Sequence, residues 1–437
     1  MAGNDDAYAL GNEAAVAAGA VTAVTRDTGA VWYNPAGLGG ISRNKLDISA
    51  SAFVLSVRRM PELLVTDLES GRLSGGIDEA TITSVPTGLV YVRSFSKRFS
   101  GGLGIYVPES DSLTATSALR AQTTFSELPG VLVDYQQRVE ISWKRSKYYV
   151  GPAFGWELLP NLRIGFAVFV TVGFEDERFL TLGEGHDTTD PSAQRYSFRQ
   201  SDRDATAVGA RAVFGLQYQP HRRLSLGFVV RSPELSFYQW GRRADLYSIT
   251  PDLIAGELEG GLSFETRSLT GGGVEQVAPW RFHFAAAFHF ARGWIAAEWD
   301  FQTPLENDAF DVDRSWVSNV RVGAWARVSD TLSLGGGLFT DLAGARPLTT
   351  IGSYRLNFYG GTVGGELRTP IALRRGRTGA TSLIFTTTLA LRYAVGFGES
   401  MGYSLQPQAT DNPGFGEHIS DVTFHELTAH IGSSLYF

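Results

Sequence analysis

The stretch Leu162-Arg163-Ile164-Gly165-Phe166-Ala167-Val168-Phe169-Val170-Thr171-Val172 decides the fold class. Leu162, Ile164, Phe166, Val168, Val170 and Val172 take every second place, with Arg163, Gly165, Ala167 and Thr171 between them. A period of two sends these sets to opposite faces of a strand, one apolar and one small or polar. The same alternation returns at 208–218, 280–290 and 383–395. Soluble sandwiches alternate too, and connection length separates the two cases. Short connections fall at Ser96-Lys97-Arg98, around Pro160, at 219–223, at Arg292-Gly293, at Ser329-Asp330 and near 374–378. Long ones fall near 59–79, 108–130, 176–195, 241–276, 303–314, 341–354 and 398–420. Tight turns at one end and long polar loops at the other are the asymmetry of bacterial outer-membrane barrels, and counting between them predicts about 14 antiparallel strands. The stretch 130–159 reads as one strand or as two.

Composition agrees. The mean hydropathy of -0.06 is too polar for a helical membrane protein, and no apolar run reaches the ~18 residues that a membrane helix needs. It suits a wall whose lipid and lumen faces cancel. The 437 residues include 50 Gly and no Cys, which leaves no disulfide framework and no thiolate metal site. A net charge of -7 argues against nucleic acid as a partner. Met1-Ala2-Gly3-Asn4-Asp5-Asp6 has neither the basic nor the apolar region of a signal peptide, so a mature form with an added start Met is expected.

The expected domains are a plug over residues 1–43 and a barrel over 44–437. Residues 1–42 do not alternate, and Ala14, Ala15, Val16, Ala17, Ala18, Gly19, Ala20, Val21 and Ala23 are small or apolar. Such a segment is too short to fold alone, and a barrel of this size leaves a lumen too wide for wall side chains to fill. A plug inside the barrel answers both facts. At the chain's end, Leu427, Ala429, Ile431, Leu435 and Phe437 share one face, an ending of the kind that outer-membrane assembly machinery commonly recognises.

The run Asp27-Thr28-Gly29-Ala30-Val31-Trp32-Tyr33-Asn34-Pro35-Ala36-Gly37-Leu38 resembles the hatch signature of the FadL/TodX family of outer-membrane fatty-acid and hydrocarbon transporters. Gly11, Ala17, Gly19 and Ala23 supply the Ala/Gly-rich lead that precedes it. The resemblance implies passive uptake of a hydrophobic small molecule. Ligand would enter from outside, settle in an apolar pocket, and leave sideways into the membrane as the hatch rearranges. Asp27, Asn34, Pro35 and Ala36 then belong to the hatch, with Pro35 holding Asn34 extended. In the family the wall gap comes from a kinked third strand, and Gly101, Gly102, Gly104 and Pro108 are the matching kink candidates. A monomer in the outer membrane, in contact with lipid and lipopolysaccharide, is also implied.

Other chemistry is poorly supported. His425 and His430 are five apart, which puts them on opposite strand faces, and His283 and His289 are too far apart to share a metal. Glu298 and Asp300 face inward beside Arg281 and His283, an arrangement that pairs lumen charges more readily than it builds a catalytic dyad. Arg163, Arg211, Arg231, Arg281, Arg321 and Arg392 also read as lumen-facing, and Arg163, Arg211 and Arg281 are kept as candidates for a ligand carboxylate. No catalytic residue, metal or cofactor is expected. Trp156, Tyr218, Trp240, Trp294 and Trp316 suit interfacial belts. The rival readings are a membrane-embedded lipase or protease barrel, and an adhesive barrel acting through its loops.

Overall fold

The computed structural model describes residues 9–68, 71–85, 88–124, 132–189, 194–249, 261–307, 312–344, 348, 352–373, 381–406 and 414–437. The strands are β1 (Lys45–Leu68), β2 (Gly71–Val85), β3 (Gly88–Ser96), β4 (Phe99–Thr124), β5 (Leu132–Leu159), β6 (Leu162–Asp187), β7 (Gln194–His221), β8 (Leu224–Arg231), β9 (Glu234–Ile249) and β10 (Gly261–Ser268). They continue with β11 (Gly271–Ala278), β12 (Arg281–Phe290), β13 (Gly293–Gln302), β14 (Leu305–Asn307), β15 (Val312–Arg314), β16 (Val317–Arg327), β17 (Leu332–Asp341), β18 (Tyr354–Leu373), β19 (Thr381–Gln406) and β20 (Gly414–Tyr436). Among the described strands, only β14 and β15 stand apart, as a small hairpin.

The wall is a closed antiparallel ring. β1 is flanked by β20 on one side and by β2 and β3 on the other. The circuit runs from β3 through β4, β5, β6 and β7. It then passes through β8 and β9, and through β10, β11 and β12, to β13. It returns by β16, β17, β18, β19 and β20. The sheet holds 18 segments, a count that differs from the expected ~14 because several staves are interrupted. β8 and β9 continue one another across Ser232-Pro233, and β11 and β12 across Pro279-Trp280. A proline gives the ladder no donor, so the stave breaks there.

Strands β4 to β7 run for 26 to 28 residues. At about 3.3 Å per residue that is near 90 Å, against the ~9–11 residues that span a bilayer. Much of 108–130 and 176–195, expected as loop, is therefore strand, and 130–159 holds a single one (Leu132–Leu159). Beyond the apolar band the alternation is carried by charges such as Arg145 with Glu175 (2.8 Å) and Arg178 with Asp202 (3.4 Å), which a hydropathy pattern does not reveal. The expected turn near 374–378 lies outside the described residues.

Lys97-Arg98, Pro160-Asn161, Arg222-Arg223 and Ala291-Arg292 make tight turns at the end where β1 begins and β20 finishes; we call it the turn end and its opposite the loop end. Leu103, Phe154, Phe166, Val170, Phe214, Phe284, Leu391 and Leu427 are exposed on the outer face. Thr171, Gln217, Arg231, His283, Asp300, Thr388 and Ser434 are buried on the inner one. An apolar outside and a polar inside is the signature of a barrel standing in lipid. Trp156, Tyr218, Trp240 and Trp316 are exposed, but Trp294 is buried at 7 %. That corrects its placing in an interfacial belt: it shares the inward parity of Glu298 and Asp300 and packs in the cluster around the N-terminal segment.

Candidate functional site

The N-terminal segment folds inside the barrel as α1 (Asn12–Val16), α2 (Ala30–Tyr33) and a 3-10 turn (Pro35–Gly40). Helices of five and four residues are not stable alone; the wall holds them. The wall makes room with a row of glycines. Gly155 on β5, Gly165 on β6 and Gly215 on β7 are direct cross-strand neighbours. A Cβ at Gly165 would lie 2.1 Å from the Pro35 carbonyl carbon, and one at Gly215 would lie 2.1 Å from Asn34 Oδ1. At Gly155 it would lie 2.5 Å from the Pro35 oxygen. The Asn34-Pro35-Ala36 turn therefore lies directly on bare backbone. Asn34 is fully buried: its Nδ2 donates to Thr22 O (2.9 Å) and to Leu216 O on the wall (3.1 Å), and its Oδ1 accepts from Ala36 N (3.1 Å).

Polar clusters fasten the rest. On one side Asp47 accepts from Asn12 Nδ2 (3.1 Å) and from Thr28 Oγ1, and Asn12 also donates to Ser434 (2.9 Å). Lys45 Nζ lies 3.4 Å from Asp27. On the other side Glu298 accepts from Thr22 N (3.2 Å), while its other oxygen meets His283 (2.9 Å) and Arg321 (3.4 Å). Asp300 accepts from Arg281 Nε (2.8 Å) and Arg321 (3.3 Å). Two guanidinium groups thus face two carboxylates, so the buried charge balances, as it must in a low-dielectric interior. Gln217 Nε2 donates to Thr22 O (3.2 Å) and Thr25 O (3.0 Å).

The third feature is a break in the wall. β4 pairs with β3 only from Phe99 to Tyr106, and its pairing with β5 shifts register between Tyr106 and Glu109. Above Tyr106, the β4 edge toward β2 has no ladder partner among the described residues. Side chains bridge this gap instead. Arg58 on β1 donates to Ser112 O (2.6 Å) and to Asp111, and Glu79 on β2 accepts from Thr114 N (3.3 Å). Val54, Val85 and Val107 form a small apolar seal between β1, β2 and β4. Toward the loop end, β1 bulges between Met60 and Leu64, and Leu64–Thr66 pair in parallel with β19. This inward tip helps close a second apolar cluster with Met60, Leu64, Ile77, Leu113, Leu119, Ile141, Trp143, Leu356, Phe358 and Phe424. The Arg58 guanidinium sits above Trp143 (5.5 Å) and Phe424 (5.7 Å).

The residues singled out in the sequence fall into three places. Asp27, Asn34, Pro35 and Ala36 lie in the segment just described. Gly102 and Gly104 face Val31 of that segment, with Cβ positions 2.8 and 3.0 Å from its side chain, whereas Gly101 faces outward between Phe95 and Phe154. Pro108 lies within the β4–β5 register shift. Of the arginines, Arg163 pairs with Glu157 (3.2 Å) and Arg281 with Asp300. Arg211 donates to the carbonyls of Ser232 (2.9 Å) and Pro279 (3.1 Å). Missing from the sequence reading were the glycine row and Arg58. The row had a signal: Phe154-Gly155, Gly165-Phe166 and Phe214-Gly215 each set an aromatic outward and nothing inward. Arg58 had none, because its partners are 21 to 54 residues away or more.

No protein-family profile matches the sequence, and no curated protein does. Solved structures do match along nearly the whole chain. A FadL homologue of Pseudomonas aeruginosa aligns with a TM-score of 0.58 at 13 % identity, covering 99 % of both chains. The P. putida toluene transporter TodX gives 0.57 at 13 % identity, again over 99 % of both. The CymD monoaromatic hydrocarbon channel gives 0.55 at 10 % identity, over 98 % of this chain and 97 % of that one. The chain therefore has the fold of FadL- and TodX-type channels: a closed β-barrel with its N-terminal segment packed inside.

Proposed function

We propose that this protein is a passive outer-membrane channel for hydrophobic small molecules, gated by its N-terminal hatch and discharging sideways through the wall. One observation carries the reading: the β4 edge above Tyr106, which has no ladder partner among the described residues, supplies Leu113 and Leu119 to the apolar cluster of the loop end and begins at Tyr106, which packs with the hatch. Backbone left unpaired facing lipid is costly, so a break bridged by a few side chains is a place where the wall can part. The solved structures of like fold include a toluene transporter and a monoaromatic hydrocarbon channel, and that class of ligand suits the lining.

In this reading Asn34, Pro35 and Ala36 are the hinge of the hatch, Asp27 belongs to its latch on Lys45, and Gly102, Gly104 and Pro108 shape the exit. Of the three candidate arginines, Arg163 and Arg281 pair with wall carboxylates, and Arg211 donates to the carbonyls of Ser232 and Pro279 within electrostatic reach of Glu234; Arg211 is kept as the candidate for an acidic ligand. The turn end faces the periplasm, and Phe437, half-exposed and stacked on Tyr91, is the ending offered to the assembly machinery. A monomer in contact with lipid and lipopolysaccharide completes the proposal. The test is uptake of radiolabelled toluene and oleate by cells lacking their own transporter. Expression of this chain should raise uptake of at least one without raising uptake of small sugars. No increase from a barrel that is folded in the outer membrane would discard the ligand class.

A further inference from the structure

The best-built aromatic site in the lumen is filled by a side chain of the protein itself. Trp32 on α2 lies against Tyr106 (centroids 5.1 Å apart, planes at 50°), Tyr149 (5.2 Å, 88°) and Phe169 (5.6 Å, 55°). The Arg231 guanidinium carbon stands 4.5 Å above the Trp32 ring, and its Nη2 donates to the Trp32 carbonyl (2.7 Å). The cage belongs to the wall, one residue from each of β4, β5, β6 and β8, while the ring it holds belongs to the inserted segment. Tyr149 is fixed in turn by its hydroxyl on Glu234 (2.7 Å), which also meets Lys147 (2.8 Å). Tyr106 is the last β4 residue paired with β3, and the next residue, Val107, belongs to the valine seal of the wall gap. The cage therefore adjoins the threshold of the exit.

We propose that this cage is a binding site for a neutral aromatic ring, and that Trp32 is its built-in competitor. Tilted and edge-on rings with a cation over one face select another π-system, because the quadrupole and cation–π attractions have no counterpart in a saturated hydrocarbon. A ligand ring that takes the place of Trp32 removes one of the attachments of α2, so occupancy and release of the hatch are one event. It also leaves the ligand beside Tyr106, next to the gap. The eviction of Trp32 lowers the apparent affinity, as any competing occupied state does. This inference rests on the reading of the chain as a hydrophobe channel and names the ligand class of its inner site.

The test uses full-length protein in nanodiscs, labelled with 5-fluorotryptophan, with the Trp32 resonance assigned by its loss in W32F. Toluene should move that resonance saturably toward a solvent-exposed position, while methylcyclohexane, of similar size but without a π face, should not. Replacement of Trp32 by Phe weakens the competitor and keeps an aromatic side chain, so the barrel is preserved; radiolabelled toluene should bind W32F about tenfold more tightly. An unmoved Trp32 resonance at toluene concentrations that sustain uptake would overturn the proposal and leave the channel standing. An equal response to methylcyclohexane, or unchanged toluene affinity in W32F, would overturn it too. A saturable toluene response from a protein that gives cells no uptake of toluene or oleate would keep the cage and remove the channel reading.

Discussion

Gly165 is the position where a single methyl group asks whether the hatch is seated as described. In Gly165→Ala the new Cβ would lie 2.1 Å from the Pro35 carbonyl carbon and 2.2 Å from Ala36 N. Carbon atoms pack at about 3.5–4.0 Å, and both neighbours are backbone, so no rotamer relieves the clash. The turn must lift by more than an ångström. That strains or breaks the bond from Asn34 Nδ2 to Leu216 O, now 3.1 Å, and loosens the nearby bond from Gln217 to Thr22 O at 3.2 Å. Crowding a packed site costs about 1–3 kcal/mol, and leaving one buried polar group unpaired costs a similar ~1–3 kcal/mol. The protein relaxes along the cheaper route, so the seat loses about 1–3 kcal/mol. That shifts the ratio of seated to unseated hatch roughly 5- to 150-fold. The barrel itself is spared, since Ala suits a strand no worse than Gly. Gly173→Ala is the matched control, on the same strand with nothing within 4 Å of its Cβ. The assay is sucrose entry into proteoliposomes, with heat-modifiable migration confirming the barrel and tryptic cleavage at Arg26 reporting the hatch. Faster swelling and faster cleavage are expected for Gly165→Ala alone. Equal behaviour of the two variants, both with folded barrels, would refute the seat.

Two further outcomes follow from the same geometry. Glu79→Ala removes the carboxylate that accepts from Thr114 N across the wall gap; a bond to a charged group contributes about 1.5–3 kcal/mol, so hydrogen exchange at the Thr114 amide should quicken roughly 10- to 100-fold, and an unchanged rate would show that the edge is held by something else. Seating of the hatch should also depend on pH through Glu13, whose carboxyl is pushed up to about 8 by burial first and by Asp27 second, against the pull of Lys45. When unseated, Glu13 ionises near its ordinary 4.5, so the unseated state sheds a proton that the seated state keeps between that pH and about 8. Sucrose leak should therefore climb across that window and level off above it, and Glu13→Gln should flatten the climb; a wild-type leak that falls with rising pH would contradict the assignment.

What the sequence shows of this molecule, and what it hides, follows from the range of each interaction. Period-two alternation is local, so the faces of 162–172, 208–218, 280–290 and 383–395 could be assigned before any pairing was known. The outer exposure of Phe166, Phe214, Phe284 and Leu391 agrees with them. The inward pairing of Glu298 and Asp300 with Arg281 and His283 was legible for the same reason, since parity and one tight turn place those strands side by side. The strand extensions beyond the membrane were hidden because charge, not hydropathy, carries their alternation, as in Arg145 with Glu175. The aromatic cage and the Arg58 bridge depend on which strands lie across the lumen and on a register shift at Val107-Pro108, and neither is a property of any one segment.

The arrangement explains why the hatch is fastened by polar groups when its composition is so apolar. An apolar segment buried in a fully apolar lumen would be held by the hydrophobic effect alone, which is not directional and resists any withdrawal in proportion to the area uncovered. Here the apolar packing of the hatch on the wall is supplemented by directional fastenings, among them Asn34 on Leu216, Thr22 on Glu298, Asn12 and Thr28 on Asp47, and Trp32 in its cage. Each exchanges a protein partner for another polar or aromatic group at small net cost, whereas a buried orphan would be expensive. A segment tied at such points can change state by exchanging partners at one of them. Of these four directional fastenings, the Trp32 one has a partner that an aromatic ligand can imitate, since the other three take hydrogen bonds or charges. The physical division of labour is therefore that the glycine row sets where the hatch lies, the carboxylates set how firmly, and the cage sets which molecule can unsettle it.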